Sequence, residues 1–342
     1  DGRGHHRRGL PIRRRAGKSV KLVHAAPRWY VGAPWPRSGR AKLENIECLR
    51  LHGREVPGVS VGDSAANKNL LVRILTSVVV VPLLLAAMFI APAWVWYCVV
   101  GFACAVGGQE LFGMTHPGDK IAQAIGILAT AAVSVTLYFW GTDARVLVTL
   151  VFVIVLQGAL VPLWRLGEIP TAGLRIMAGM GGPLYVGGLL TTIALIQRDY
   201  YSHGGPGLVV IILAIAWLGD TGGYFAGRFL GKTKLYPAVS PKKTREGFVG
   251  SLCGSVIGGV VFQLLLVPGL PTWQIAIVAL VAGALGQMGD LVESLLKRST
   301  GIKDSGWIVP GHGGILDRLD AVLVVSPLMY LSLLWAQPVP SP

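Results

Sequence analysis

The sequence predicts an all-α, polytopic helical membrane protein of about nine spans with its N-terminus on the cytoplasmic side. Three observations carry this. Only 14% of the 342 residues are charged, against about 25% in ordinary soluble domains. Hydrophobic residues make up 52% of the chain and the mean hydropathy is +0.58, which places it in the membrane class before any motif is read. The net charge of +14 is also uneven: residues 1–69 hold 15 Lys/Arg and 5 Asp/Glu.

Those first 69 residues read as a basic, solvated and poorly ordered cytoplasmic extension. With so apolar a remainder, the anionic leaflet of a bilayer is a better partner for it than nucleic acid. No short apolar core follows the basic N-terminus as a cleavable signal peptide would require. The sequence does not begin with Met, so the first residue need not be the biological start.

A spanning helix needs about 20 mostly apolar residues. Nine runs meet this: 71–90, 94–113, 121–140, 146–164, 176–197, 207–226, 248–267, 273–293 and 317–336. An odd number puts the termini on opposite sides. With the N-terminus inside, 29 of the 31 Lys/Arg fall on the cytoplasmic side and only Arg145 and Arg198 outside, as the positive-inside rule requires. Residues 70–206 then form N-terminal transmembrane helices, and residues 207–342 a C-terminal transmembrane catalytic region. Glycine runs such as Gly254 to Gly259 read as close helix packing. Cys48, Cys98, Cys104 and Cys253 form no CxxC pair or other metal spacing, so neither a disulfide framework nor a zinc site is expected.

Charge then gathers between residues 220 and 320, where seven of the 12 acidic residues beyond the tail lie. Ionisable groups in or beside spans are expensive and mark function. Asp220 sits within an apolar helix, open to pairing with a cation such as Arg228 or to a direct site role. The segment Ser240-Pro241-Lys242-Lys243-Thr244 reads as a basic loop whose ammonium groups suit phosphates. Asp290 and Glu293 share a helix face. Lys297 lies four residues beyond Glu293 and explains it as an ion pair, whereas Asp290 has no cation at that spacing and is the better metal ligand. In the stretch from Lys303 to Asp320, Gly311, Gly313 and Gly314 allow close backbone approach to a ligand. Asp317 and Asp320 lie at the start of the last run, as hard oxygen donors suited to Mg²⁺. His312 is open to a structural or a substrate role.

The run Ser294-Leu295-Leu296-Lys297-Arg298, Lys303-Asp304-Ser305-Gly306, Pro310-Gly311-His312-Gly313-Gly314 and Asp317-Arg318-Leu319-Asp320 resembles the signature of CDP-diacylglycerol synthases, the phosphatidate cytidylyltransferases. The Asp220 segment and the Ser-Pro-Lys-Lys-Thr segment resemble that family in the same order. The likeness covers about residues 217–320. It implies that CTP and phosphatidate give CDP-diacylglycerol and pyrophosphate in phospholipid biosynthesis. The Lys/Arg distribution puts the site at the cytoplasmic face, and with no organellar or retention signal to read, a prokaryotic plasma (inner) membrane is expected. The resemblance also implies Mg²⁺, a monovalent K⁺ beside it, and a homodimer. Carried over by motif position, Asp290 and Asp317 are the metal carboxylates, with Asp320 and Glu293 as further candidates. Lys297 and Arg298 join the two aspartates as catalytic residues. Ser240, Lys242, Lys243, Thr244, Lys303, His312, Gly313, Gly314, Arg318 and Asp220 would bind substrate. A CDP-alcohol phosphotransferase or a CTP-dependent lipid kinase would use the same nucleotide chemistry, and a secondary transporter would share the topology. None of these three accounts for the long charged motif as well.

Overall fold

The structure is a computed structural model that describes residues 78–302, 305–306 and 313–336. The predicted N-terminal extension and the site candidates Lys303 and His312 lie outside the described residues. The described chain is almost wholly helical. In order come α1 (Val78–Phe89), α2 (Ala93–Thr115), α3 (Lys120–Trp140), α4 (Ala144–Trp164), α5 (Ile169–Pro183) and a π-helical turn, Leu184–Gly188, leading into α6 (Leu189–Asp199). Then follow α7 (Gly205–Phe229), β1 (Lys234–Tyr236), β2 (Ser240–Thr244), α8 (Arg245–Leu266), α9 (Thr272–Ser299), α10 (Leu316–Leu319) and α11 (Val322–Ala336).

The described part of each apolar run is mostly helical, and residues 71–77 of the first lie outside the described residues. Seven helical segments among the described residues are long and apolar enough to cross a membrane, while α1 and α11 are shorter apolar helices. Several boundaries move. The fifth run belongs to a longer segment, Ile169–Asp199. There Pro183 ends the regular ladder because it offers no N–H, and the chain continues through a π turn. The eighth run continues to Ser299. The ninth breaks into a one-turn helix that stops at Leu319 and a separate helix from Val322. The Ser240–Thr244 segment, expected as a loop, is a strand paired antiparallel with β1. Pro241 is tolerated because a two-stranded ribbon leaves an edge with no ladder bond to donate.

Local chemistry sets several helix starts. Asp119 accepts the Ala122 N–H at 3.1 Å, Asp143 accepts the Arg145 N–H at 2.8 Å, and Thr244 accepts the Gly247 N–H at 3.1 Å. Such caps satisfy donors that a helix end leaves open. Pro206 enters α7 in its first turn, where its missing N–H costs nothing.

Packing follows small residues, as expected where lipid removes the hydrophobic drive between helices. Helices α7 and α8 approach through Gly219, Gly222 and Gly223 on one side and Gly247, Gly250 and Gly254 on the other; a methyl at Gly254 would collide with the Leu218 carbonyl. Helices α4 and α5 cross where Gly158 meets Gly179. The core gathers Ile211, Ile212 and Ile215 of α7 with Ile275 and Ala279 of α9 and Val325 and Met329 of α11. By contrast α4 buries only Ile154, Gly158 and Pro162, so most of its apolar surface is left to face lipid.

Polar contacts mark the two ends of the bundle. At one end, Tyr330 donates to Asp199 at 2.9 Å and Gln197 donates to the Met88 carbonyl at 2.8 Å. At the other, Asp119 holds Arg165 at 3.0 Å and Arg175 at 3.3 Å. The β-ribbon and the 317–320 turn belong to this second end, where α2, α7 and α9 finish.

Candidate active site

A cavity of about 490 Å³ opens at this second end. Helix α7 contributes Asp220, Tyr224 and Arg228, β2 contributes Lys242, Lys243 and Thr244, α9 contributes Gln287, Asp290 and Lys297, and the 317–320 turn contributes Asp317 and Asp320. Residues up to a hundred positions apart therefore meet because four elements end together.

Two of the lysines inside pair with aspartates of other elements. Lys243 Nζ lies 2.6 Å from Asp290 Oδ2 and donates to Gln287 Oε1 at 3.0 Å and to the Gln287 carbonyl at 3.3 Å. Gln287 Nε2 in turn donates to Asp220 Oδ1 at 3.3 Å. Asp290 thus has its cation after all, supplied by β2 rather than by its own helix. Lys297 Nζ reaches Glu293 Oε1 at 3.1 Å, the expected i,i+4 pair, and also Asp317 Oδ1. Arg228 donates to Tyr224 Oη at 2.6 Å, while Asp220 takes its hydrogen bond from Gln287.

Asp317 is the most heavily engaged carboxylate. Its Oδ2 accepts the Ser305 N–H at 3.1 Å and the Ser305 hydroxyl at 2.9 Å. Burial works against its charge, but hydrogen bonds with Glu293, Lys297 and the Ser305 N–H outweigh it and hold the carboxyl at about 2. Asp320 goes the other way: burial, then the negative charges of Asp290 and Asp220, push it up to about 7. The set thus combines a firmly ionised carboxylate with a crowd of three, Asp220, Asp290 and Asp320, whose charges repel one another.

Other candidates fall differently. Arg298 and Arg318 are exposed and do not line the cavity. Ser240 pairs with Tyr236 at the far end of the ribbon. Thr244 borders the cavity but spends its hydroxyl on the α8 cap. Gly313 has φ +86°, a left-handed backbone that favours glycine. Gly314 is packed within the protein, since a methyl there would meet Ser305 Oγ and stand 2.8 Å from Glu110 Oε2.

Glu110 is the residue that the sequence reading passed over. It is 5% exposed on α2 and accepts hydrogen bonds from the Ser305 hydroxyl (3.1 Å), the Ile315 N–H (2.9 Å) and the Leu316 N–H (3.0 Å). The signal was present: it is the sole acidic residue in the 23-residue helix from Ala93 to Thr115, and lone intramembrane carboxylates are rarely idle. Tyr185 was also missed; its buried hydroxyl has no hydrogen-bond partner among the described residues, and it lies on the π turn.

The donor set bears on a metal. Among the described residues no three Asp, Glu, His or Cys groups converge to enclose an ion by themselves. Magnesium asks less, commonly one or two carboxylates completed by phosphate oxygens and water. The crowded aspartates fit an ion shared with a phosphate-bearing ligand.

The model of the cytidylyltransferase family matches residues 71–335, most of the chain and all of the described site. The chain belongs to the cytidylyltransferase family. Within it, the chain is similar to the phosphatidate cytidylyltransferase of Staphylococcus saprophyticus, with 46% identity over 136 residues, 39% of this chain and 52% of that protein. Its likeness to the Bacillus subtilis phosphatidate cytidylyltransferase is 46% over 129 residues, 37% of this chain and 48% of that one. The chain spans about half the length of these relatives. Membership and the apolar helices together describe a multi-pass membrane protein of that family.

Proposed function

We propose that the protein is a phosphatidate cytidylyltransferase, joining CTP to phosphatidate to give CDP-diacylglycerol and pyrophosphate. The observation that carries this reading is the cavity of four aspartates and four cationic side chains at one end of a membrane bundle, in a chain of the cytidylyltransferase family. A phosphate oxygen of phosphatidate attacks the α-phosphorus of CTP. The new P–O bond forms as the bond from the α-phosphorus to the β-bridging oxygen breaks, and pyrophosphate departs with that electron pair. No serine or cysteine nucleophile is needed. The protein's task is to align two anions and neutralise charge as it develops.

Lys242, Lys243, Lys297 and Arg228 line the cavity and would meet phosphate oxygens there, the last three by leaving their resting partners. Asp290 and Asp317 would hold a magnesium ion, with Asp320 and Asp220 adjoining. Bound there, the ion would supply Lewis-acid neutralisation of the triphosphate. A monovalent ion and a homodimer belong to the same reading by family likeness. The cytoplasmic face belongs to it too, with the distribution of Lys and Arg along the sequence as its support, and a plasma membrane is the setting proposed for that face.

The test is turnover of the purified protein in micelles containing phosphatidate and CTP labelled in the cytidine, with and without Mg²⁺. Label in lipid together with released pyrophosphate, dependent on metal, is the expected result. Release of CDP with no labelled lipid would point to phosphoryl transfer instead, and CTP left intact by a folded preparation would end the enzyme reading.

A further inference from the structure

We infer that Glu110 is a positioning residue, setting Ser305 and the backbone at Ile315 and Leu316 and, through Ser305, the placement of Asp317. The inference rests on the cytidylyltransferase reading of the cavity and deepens it. It starts from cost. A carboxylate 5% exposed inside an apolar helix is expensive unless its lone pairs are filled. Among the described residues they are filled by two successive backbone N–H groups, Ile315 at 2.9 Å and Leu316 at 3.0 Å, and by the Ser305 hydroxyl at 3.1 Å.

Ser305 completes the link. Its oxygen stands 3.1 Å from Glu110 Oε2 and 2.9 Å from Asp317 Oδ2. One hydroxyl proton serves the two carboxylates in turn, while the Ser305 N–H stays on Asp317 at 3.1 Å. The two glycines flanking this arrangement answer to Glu110 as well. A methyl at Gly306 would strike Glu110 Oε1, and one at Gly314 would stand 2.8 Å from Oε2. A third contact fixes α2 itself: a methyl at Gly107 would lie 3.0 Å from Val186 Cγ1 and 3.2 Å from Leu316 Cδ2. One turn of α2 therefore grips both the π turn and the start of α10. Helix α2, which lies outside the charged motif, thereby holds Ser305, Ile315 and Leu316 within it.

The experiment compares wild type, Glu110→Gln, Glu110→Asp, Ser305→Ala and Glu110→Gln/Ser305→Ala in the micelle assay, together with amide hydrogen exchange at Ile315 and Leu316. Gln keeps one acceptor oxygen and turns its NH₂ toward N–H donors. A displacement of about 1 Å at the reacting groups costs on the order of 100-fold in rate. The expected result for Glu110→Gln is a kcat about 100-fold lower, a KM for CTP little changed, and faster exchange at both amides. Glu110→Asp should recover part of kcat. The double variant should be no worse than Glu110→Gln, because both changes break one link. Should Glu110→Gln fail to fold, Glu110→Asp and Ser305→Ala carry the same kcat-against-KM comparison. Wild-type kcat with wild-type exchange in a folded Glu110→Gln would overturn the inference, as would independent, multiplying losses in the double variant. An inactive wild type would reject the cavity reading, while the exchange contrast would still decide the role of Glu110.

Discussion

Replacing Gly158 by Ala should destabilise the protein, although the change adds only a methyl to a helix that mostly faces lipid. The methyl would lie 2.5 Å from the Met180 backbone nitrogen, 2.6 Å from the Gly179 carbonyl carbon and 2.7 Å from Met180 Cγ. Ordinary contacts begin near 3.4 Å, so the two helices must part by nearly an ångström. The obstacles are mainly backbone, so no rotamer change relieves them. Overpacking of this kind costs about 1–3 kcal/mol, and a gap of that width forfeits a quarter to a half of each facing dispersion contact. The Gln157 Nε2 bond to the Gly179 carbonyl, 2.7 Å long, is strained by the same movement. Gly173 on α5 is the control: it is exposed and a methyl there meets nothing within 4 Å. Alanine also gains up to about 1 kcal/mol of helix propensity over glycine. Thermal unfolding in detergent should place Gly158→Ala about 5 °C below wild type, taking roughly 2–4 °C per kcal/mol, and Gly173→Ala level with it or above. A Gly158→Ala protein melting with or above wild type would refute the backbone-contact argument.

Two further outcomes follow from the same end of the bundle as the cavity. His116, 2% exposed, is lowered to about 4 by burial and then by the Arg175 charge, with Asp119 partly opposing. The native state therefore resists a proton that the unfolded chain accepts near 6.5. Its stabilising effect is whole above that value and is lost as pH falls toward 4, by about 3 kcal/mol in all. Melting curves between pH 7 and 4 should converge for wild type and His116→Asn at the acid end, and parallel curves would contradict this. Thr244→Ala removes the cap that holds the Gly247 N–H and should cost about 1 kcal/mol, read as a lower melting temperature; no change would mean that the cap adds nothing.

The sequence made the helices legible because twenty apolar residues in a row are a local signal that lipid alone can select. The Glu293–Lys297 pair was legible for a similar reason, since four residues along one helix fix a distance. The partner of Asp290 was not, because Lys243 reaches it from a strand 47 residues earlier in the chain, and no periodicity encodes that. The break before Val322 was also hidden: Asp317 and Asp320 read as the first turn of one long helix, while in the structure the helix stops at Leu319 and Asp320 Oδ1 accepts the Ala321 N–H at 2.7 Å. Glu110 was visible as a lone acid but not as an anchor, because its three donors come from about 200 residues away. The basic Ser240–Thr244 segment brings Lys242 and Lys243 to the cavity, but as a strand and not as the expected loop. What its residue types state is charge, and the pairing with Lys234–Tyr236 decides its shape.

The cavity lining has a consequence for how molecules reach it. Among the described residues, Asp220, Asp290, Asp317 and Asp320 line the cavity with Arg228, Lys242, Lys243 and Lys297, so the formal charges of this set cancel. A balanced recess at the edge of a bilayer exerts little pull at a distance, because opposed fields fade over separations greater than the spacing of the charges. It would neither draw in a bare polyanion nor hoard bare cations. What it welcomes is a visitor that is itself near balance and can trade partners on arrival, anion to ammonium and cation to carboxylate. Capture should then depend only weakly on ionic strength, and selectivity should be decided at contact distance, where each exchange is made one pair at a time.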